Sequence, residues 1–171
     1  MMRKLLVVLR SPLDHVLIAG TISRLSGRGW IVHEALLGVD SLDRKRVSDL
    51  LGVESSKSVS DLSELSSLAN ELKVDVVLAP DGLSFDCNGT LLSYSDKVSI
   101  NGHAFVDISD YWKVKIAVMD CYDVDEDLYR RVRWANSYFG SKLGSAYAEA
   151  FDMVNISCSE VVLKSLNDFI R

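Results

Sequence analysis

Leu5-Leu6-Val7-Val8-Leu9-Arg10-Ser11-Pro12-Leu13-Asp14-His15 decides the fold. An unbroken apolar run of this length marks a strand buried on both faces, as in a parallel sheet covered by helices. Ser11 and Pro12 then start a helix. Serine is a good N-cap, and proline suits the first helical position because no N–H is needed there. Asp14, three residues after Ser11, completes a variant capping box and faces the positive end of the helix dipole. The helix runs to about Ser26 with Ile18, Ile22 and Leu25 on one face, and Gly27 and Gly29 stop it.

Working outward, Trp30–Leu37 reads as a second strand, and Ser41 can cap a short helix carrying Val47, Leu50 and Leu51. Residues 55–67 are serine-rich, but Leu62, Leu65, Leu68 and Leu72 recur at helical spacing, which predicts a helix over 61–73 with Asp61 and Glu64 as its capping box. Asp75–Ala79 is another buried strand, ended by Pro80-Asp81-Gly82. Such alternation implies parallel strands joined by right-handed crossovers. The middle differs. Leu83–Cys87 and Leu91–Ser95 flank Asn88-Gly89, which predicts a hairpin, and Lys97–Ile100 with Ala104–Ile108 around Asn101-Gly102 suggests a second. Helices follow at Ser109–Cys121 and at 125–139, where Leu128, Val132, Ala135 and Phe139 line up. Tyr147–Val154 reads as a strand. Ser157 and Glu160 box a last helix carrying Val162, Leu166 and Phe169. The expectation is one domain over residues 1–171. Its fold class is α/β, a Rossmann-like three-layer α/β/α with a mostly parallel sheet and an added β-hairpin region.

Composition narrows the partners. With 171 residues, 48% hydrophobic and 25% charged, the chain can bury a sizeable core. A formal charge of −5 argues against nucleic acid, which demands a basic surface. Arg130, Arg131 and Arg133 read as a solvated helix face. The apolar run at the N-terminus is too short for a signal-peptide core, and nothing approaches the roughly 20 apolar residues of a membrane span. Cys87, Cys121 and Cys158 are odd in number and form no Cys-x-x-Cys pair. A reducing cytoplasm suits them better than a disulfide framework.

In open parallel sheets, ligands bind beyond the carboxyl ends of the strands, where strand order reverses. The loop Arg10–His15 is therefore the place to look. Asp14 and His15 are metal-capable, and a helix N-terminus favours anions. The simpler reading makes Ser11 and Asp14 caps and His15 a surface residue on the first turn; the residues alone leave both open. His33 lies in a strand, as core or edge.

Ser11-Pro12-Leu13-Asp14-His15 through Gly20-Thr21 to Leu25, then Gly29-Trp30-Ile31-Val32, resembles the opening of the PIG-L/LmbE family of zinc-dependent N-deacetylases of N-acetylglucosamine conjugates. Leu50-Leu51-Gly52-Val53, Val74-Asp75-Val76-Val77-Leu78-Ala79-Pro80, Phe105-Val106-Asp107-Ile108-Ser109 with Lys113 and Lys115, and Tyr147-Ala148-Glu149-Ala150-Phe151 resemble later family segments in the same order. The family opens on His-Pro-Asp-Asp-Glu. Ser11 stands where the resemblance puts a zinc ligand, and Leu13 where it puts the general base. Asp14 keeps a ligand position, and His15 replaces the glutamate. Nothing between Ala79 and Phe105 resembles the later His-Pro-Asp-His stretch, that region looks shortened, and Cys121 stands where the family often has histidine.

A catalytic zinc needs about three protein ligands and an open water position, with a base beside that water. Leucine can neither ligate nor take a proton. The resemblance, with these departures, implies a deacetylase homologue that has lost its activity and needs no cofactor. It would bind a small anionic or sugar-type ligand through Arg10, Ser11, Asp14, His15 and Glu149, with Tyr122 and Asp123 bordering the cleft. The alternative is a rebuilt zinc hydrolase using Asp14, His15 and His103. Against it, adjacent residues on a helix diverge by about 100°, so Asp14 and His15 meet one metal awkwardly. Phe85, Leu91, Leu92 and Tyr94, with little helix to cover them, suggest a homo-oligomer contacting through residues 83–108.

Overall fold

Alternation along the first strand organises the molecule. In the computed structural model, which describes residues 2–39, 45–95, 102, 104–155 and 169–170, β1 (Lys4–Leu9) lies between β2 (Ile31–Leu37) and β4 (Val76–Pro80), parallel to both. Leu5, Val7 and Leu9 enter one core, under α1 (Pro12–Gly27), α2 (Lys45–Leu51) and α4 (Trp112–Cys121). Leu6 and Val8 enter the other, under α3 (Leu62–Leu72). A strand with two buried faces shows apolar residues at every position, which is why the run 5–9 is unbroken.

Among the described residues the sheet has seven strands, in the order β3-β2-β1-β4-β5-β7-β6. From β1 the chain winds outward through β2 to β3 (Ser55–Val59). It then crosses over α3 to β4, on the other side of β1, and on to β5 (Thr90–Tyr94), parallel to β4. The order therefore reverses between β1 and β4, and a crevice opens at the carboxyl ends of that pair. Among the described residues, antiparallel pairing appears only beyond β5, where β7 (Ala148–Asn155) runs between β5 and β6 (Ala104–Asp107). α5 (Glu126–Leu143) packs on β7 and ends on Gly144, whose φ of 71° closes the helix in the left-handed conformation. The mostly parallel α/β architecture is the one expected.

Three local expectations change. β3 was not foreseen: Ser55, Ser56, Lys57 and Ser58 are exposed, and the strand is held by its pairing with β2. The hairpin at Leu83–Ser95 does not form, because β5 takes β4 as its parallel neighbour and residues 83–87 are not a strand. Leu91, Leu92 and Tyr94 are buried within the chain, and Phe85 is half-buried. Ser41, the segment Lys97–Ile100, His103, and Ser157 through Leu166 with Cys158 lie outside the described residues. Phe169 is helical and packs edge-on against Trp30 and Phe151. Cys87 and Cys121 are free thiols. Among the described residues no helix is long and apolar enough to cross a membrane.

Candidate functional site

The crevice at the strand reversal is a cleft of about 420 Å³, lined by Arg10 and Ser11 after β1, Leu13, Asp14 and Leu17 of α1, Pro80 and Asp81 after β4, and Tyr94 and Ser95 of β5. Asp14 is the buried carboxylate of this group. Its Oδ2 accepts the backbone N–H of Arg10 at 2.6 Å and of Ser11 at 2.9 Å. Asp14 thus ties down the two backbone amides that lead into α1, from its first turn. Arg10 and Leu13 are exposed at the mouth. Tyr94 donates its hydroxyl to Val8 O at 2.6 Å, and burial holds its pKa well above the usual tyrosine value.

His15 is elsewhere. It is fully buried on the α2–α4 side, not on the surface, with Nε2 2.6 Å from Glu34 Oε1 and Nδ1 2.7 Å from the Tyr122 hydroxyl. Ser48 Oγ donates to the other Glu34 oxygen at 3.1 Å, and the Tyr122 ring lies nearly parallel to the imidazole with centroids 6.0 Å apart. Burying a carboxylate and an imidazole is tolerable only when both are paired, as here. His15 therefore does not join Asp14 in the cleft, and Tyr122 serves the buried network. A signal was present: His15, Ile18, Ile22 and Leu25 form one helical stripe, and Glu34 shares a strand face with Val32 and Leu36. His33 is buried in β2 with Nδ1 2.7 Å from Ser55 Oγ, and burial lowers its pKa.

Glu149 joins distant segments. Its Oε1 accepts Gly20 N–H at 3.0 Å and Lys115 Nζ at 2.5 Å, and its Oε2 accepts Thr21 N–H at 2.8 Å. Lys115 also donates to Leu17 O at 2.7 Å. Burial pushes the Lys115 pKa down, and the Glu149 charge opposes that shift. Close by, buried Arg24 donates to Asp107 O at 2.7 Å, and Asp107 Oδ1 accepts both donors of Ser109. The Gly-Thr, Val-Asp-Ile-Ser…Lys and Tyr-Ala-Glu segments that carry the family resemblance therefore meet in one buried cluster.

Beside the cleft, sharing Leu13, Leu17, Tyr94 and Ser95 with it, lies a second cavity of about 480 Å³ beneath α5. Lys115, Glu149 and Asn136 also line it. Asp81, Tyr94 and Asn136 were missed from sequence. Asn136, one turn after Val132 on the apolar stripe of α5, was the readable exception.

Among the described residues, the donor set does not fit zinc. Asp14 and Asp81 are the cleft's carboxylates, its other lining residues bring no imidazole, and nowhere among the described residues do three His, Cys, Asp or Glu side chains gather. Such a set falls short of the ligands a catalytic zinc takes.

No protein-family model matches the sequence, and no curated protein matches it. Solved structures do. The N,N'-diacetylchitobiose deacetylase of Pyrococcus horikoshii, complexed with its inhibitor MPG, matches with a TM-score of 0.70 at 18% identity over 89% of this chain and 84% of that one. A deacetylase from the teicoplanin biosynthesis pathway matches at 0.64 and 11% identity over 86% and 96%. The 4-carboxy-2-hydroxymuconate hydratase of Pseudomonas putida KT2440 matches at 0.70 and 15% identity over 93% and 99%. The fold is thus that of deacetylases of the kind the sequence resembles, and a hydratase shares it. Fold likeness therefore leaves the reaction to be argued from the site.

Proposed function

We propose that this chain is a non-hydrolytic form of the deacetylase fold that binds a neutral, hydroxyl-rich, sugar-type ligand between the ends of β1 and β4. The observation that carries this reading is the state of Asp14. It is the one residue left of the resemblance's metal and base positions, and it is bonded to the Arg10 and Ser11 amides beside Ser11 and Leu13. A carboxylate already seated at the helix start disfavours an anionic ligand. The cleft instead offers carboxylate oxygens of Asp14 and Asp81 to ligand hydroxyls and the Arg10 guanidinium as donor.

Without a general base, a factor of about 10²–10⁴ in rate is lost, and without zinc the activated water goes as well. Calorimetry with methyl N-acetyl-β-D-glucosaminide should show binding of about millimolar affinity, weakened about tenfold or more in Asp81→Ala. Acetate release from the same glycoside should stay at background with or without added zinc. Zinc-dependent acetate release by the unmodified protein, lost in Asp14→Ala or His103→Ala, would overturn the reading in favour of a rebuilt hydrolase.

A further inference from the structure

We propose that the outward face of α5 docks on the same face of a second copy of this chain, antiparallel to it across a two-fold axis beside Trp134. The surface is α5, not the 83–108 segment that the sequence suggested.

The face carries aromatic rings where a surface helix is usually polar. Trp134 is 60% exposed, on the side of α5 opposite Val132 and Phe139, which pack inward. The Trp134 and Tyr138 rings are nearly parallel with centroids 5.7 Å apart, and Lys142 Nζ lies 5.0 Å from the Tyr138 ring centre. Tryptophan, tyrosine and arginine are the residues on which protein contacts most often turn. At about 100° per residue, Asp127, Arg131 and Tyr138 share the face of Trp134, with Lys142 at its edge.

Charge is segregated along the same helix. Its approach and first turn carry exposed Asp123, Asp125, Glu126 and Asp127. From Leu128 to Ala148 the charged residues are Arg130, Arg131, Arg133 and Lys142, with no acid among them. The helix dipole accounts for the acids and for Lys142. It fades within the first and last turns, so it does not call for three arginines in the first half of an 18-residue helix. Arg130 is taken up by Glu126, 3.0 Å away in the same helix. Arg131 and Arg133 form no ion pair among the described residues.

A helix with acid at its start and base beyond is complementary to itself only when reversed. Parallel copies would set like charges together. A separate acidic partner would suit the arginines but be repelled by residues 123–127. A two-fold axis reverses the helix and makes every pairing twice. Asp127 lies about as far before Trp134 as Lys142 lies after it. With Trp134 at the axis, Asp127 of one copy therefore comes beside Lys142 of the other, Arg131 beside Tyr138, and the two indoles meet at the centre.

The test is analytical ultracentrifugation of the full chain over a range of concentrations at low and high salt. The parent should form a reversible dimer that weakens as salt rises. Trp134→Glu should be monomeric while melting close to the parent, since the indole is exposed. Lys142→Glu and Asp127→Lys should each weaken the dimer by about tenfold or more, because each sets like charges face to face at both ends. An equimolar mixture of those two variants should dimerise as tightly as the parent, because opposite charges then meet at both ends. A parent that stays monomeric at every attainable concentration would overturn the proposal. So would a Trp134→Glu dimer as tight as the parent's, or a mixture that associates no better than either variant alone.

Discussion

Glu149 takes two helix amides and one lysine in a space almost closed to water, with 2% exposure at Glu149 and none at Lys115. Removing one partner of such a pair strands a buried charge, which typically costs about 3–5 kcal/mol. Glu149→Gln should therefore lower stability by about that amount at pH 7 in urea melts. The deficit should shrink as pH rises. Burial already lowers the Lys115 pKa, and the variant loses the Glu149 charge that opposes that shift. The folded variant then binds fewer protons than its unfolded chain, whose lysine titrates near about 10.4, so its stability climbs towards that pH. A deficit that stays constant from pH 7 to pH 10 would contradict this. At this scale the sequence is only partly legible. Asp14 as a cap follows from Ser11 and Pro12 before it, because capping is local. The partners of His15, Glu149 and Asn136 lie 19, 129 and 12 residues away, and no local pattern names them.

At the scale of elements, α1 owes its position to what crosses it. A Cβ built on Gly20 would lie 2.7–2.8 Å from three atoms of the Ile108 side chain. Glycine normally weakens a helix by about 1 kcal/mol relative to alanine, so Gly20→Ala would stabilise an unencumbered helix. Here the overlap should reverse the sign, with a loss of about 1–3 kcal/mol by overpacking. Ile108→Ala in the same chain should recover part of the loss, and a double-mutant cycle with no coupling between the two sites would refute the contact. Elements with a buried face were readable because burial imposes a period: β1, β2, β4, α1, α3 and α5 all show it. β3 was not, since its exposed Ser55, Ser56, Lys57 and Ser58 pair through the backbone and leave no hydrophobic mark. The false hairpin has a related cause. Asn88-Gly89 is a strong turn signal, but the chain uses it to enter β5, where Thr90 N–H bonds Asp75 O at 2.9 Å beside β4. A turn signal states that the chain bends, not which strand it meets next.

For the whole molecule, the order β3-β2-β1-β4-β5-β7-β6 sets the cleft between β1 and β4, and of the loop after the first strand Arg10, Ser11, Leu13 and Asp14 line it while His15 is buried elsewhere. The cavity beneath α5 was not legible, since it depends on how α5 and β7 close over α1. Deacetylases and a hydratase share this fold, so side chains at the cleft decide what it does. On the reading proposed above, the cleft keeps the fold of a deacetylase site without its metal chemistry. That reading is tested most directly by the zinc content of protein purified without a histidine tag, then equilibrated with zinc and dialysed. We predict much less than one equivalent of zinc per chain, with no difference between the parent and Asp14→Ala. One tightly held equivalent in the parent, lost in Asp14→Ala, would contradict the account.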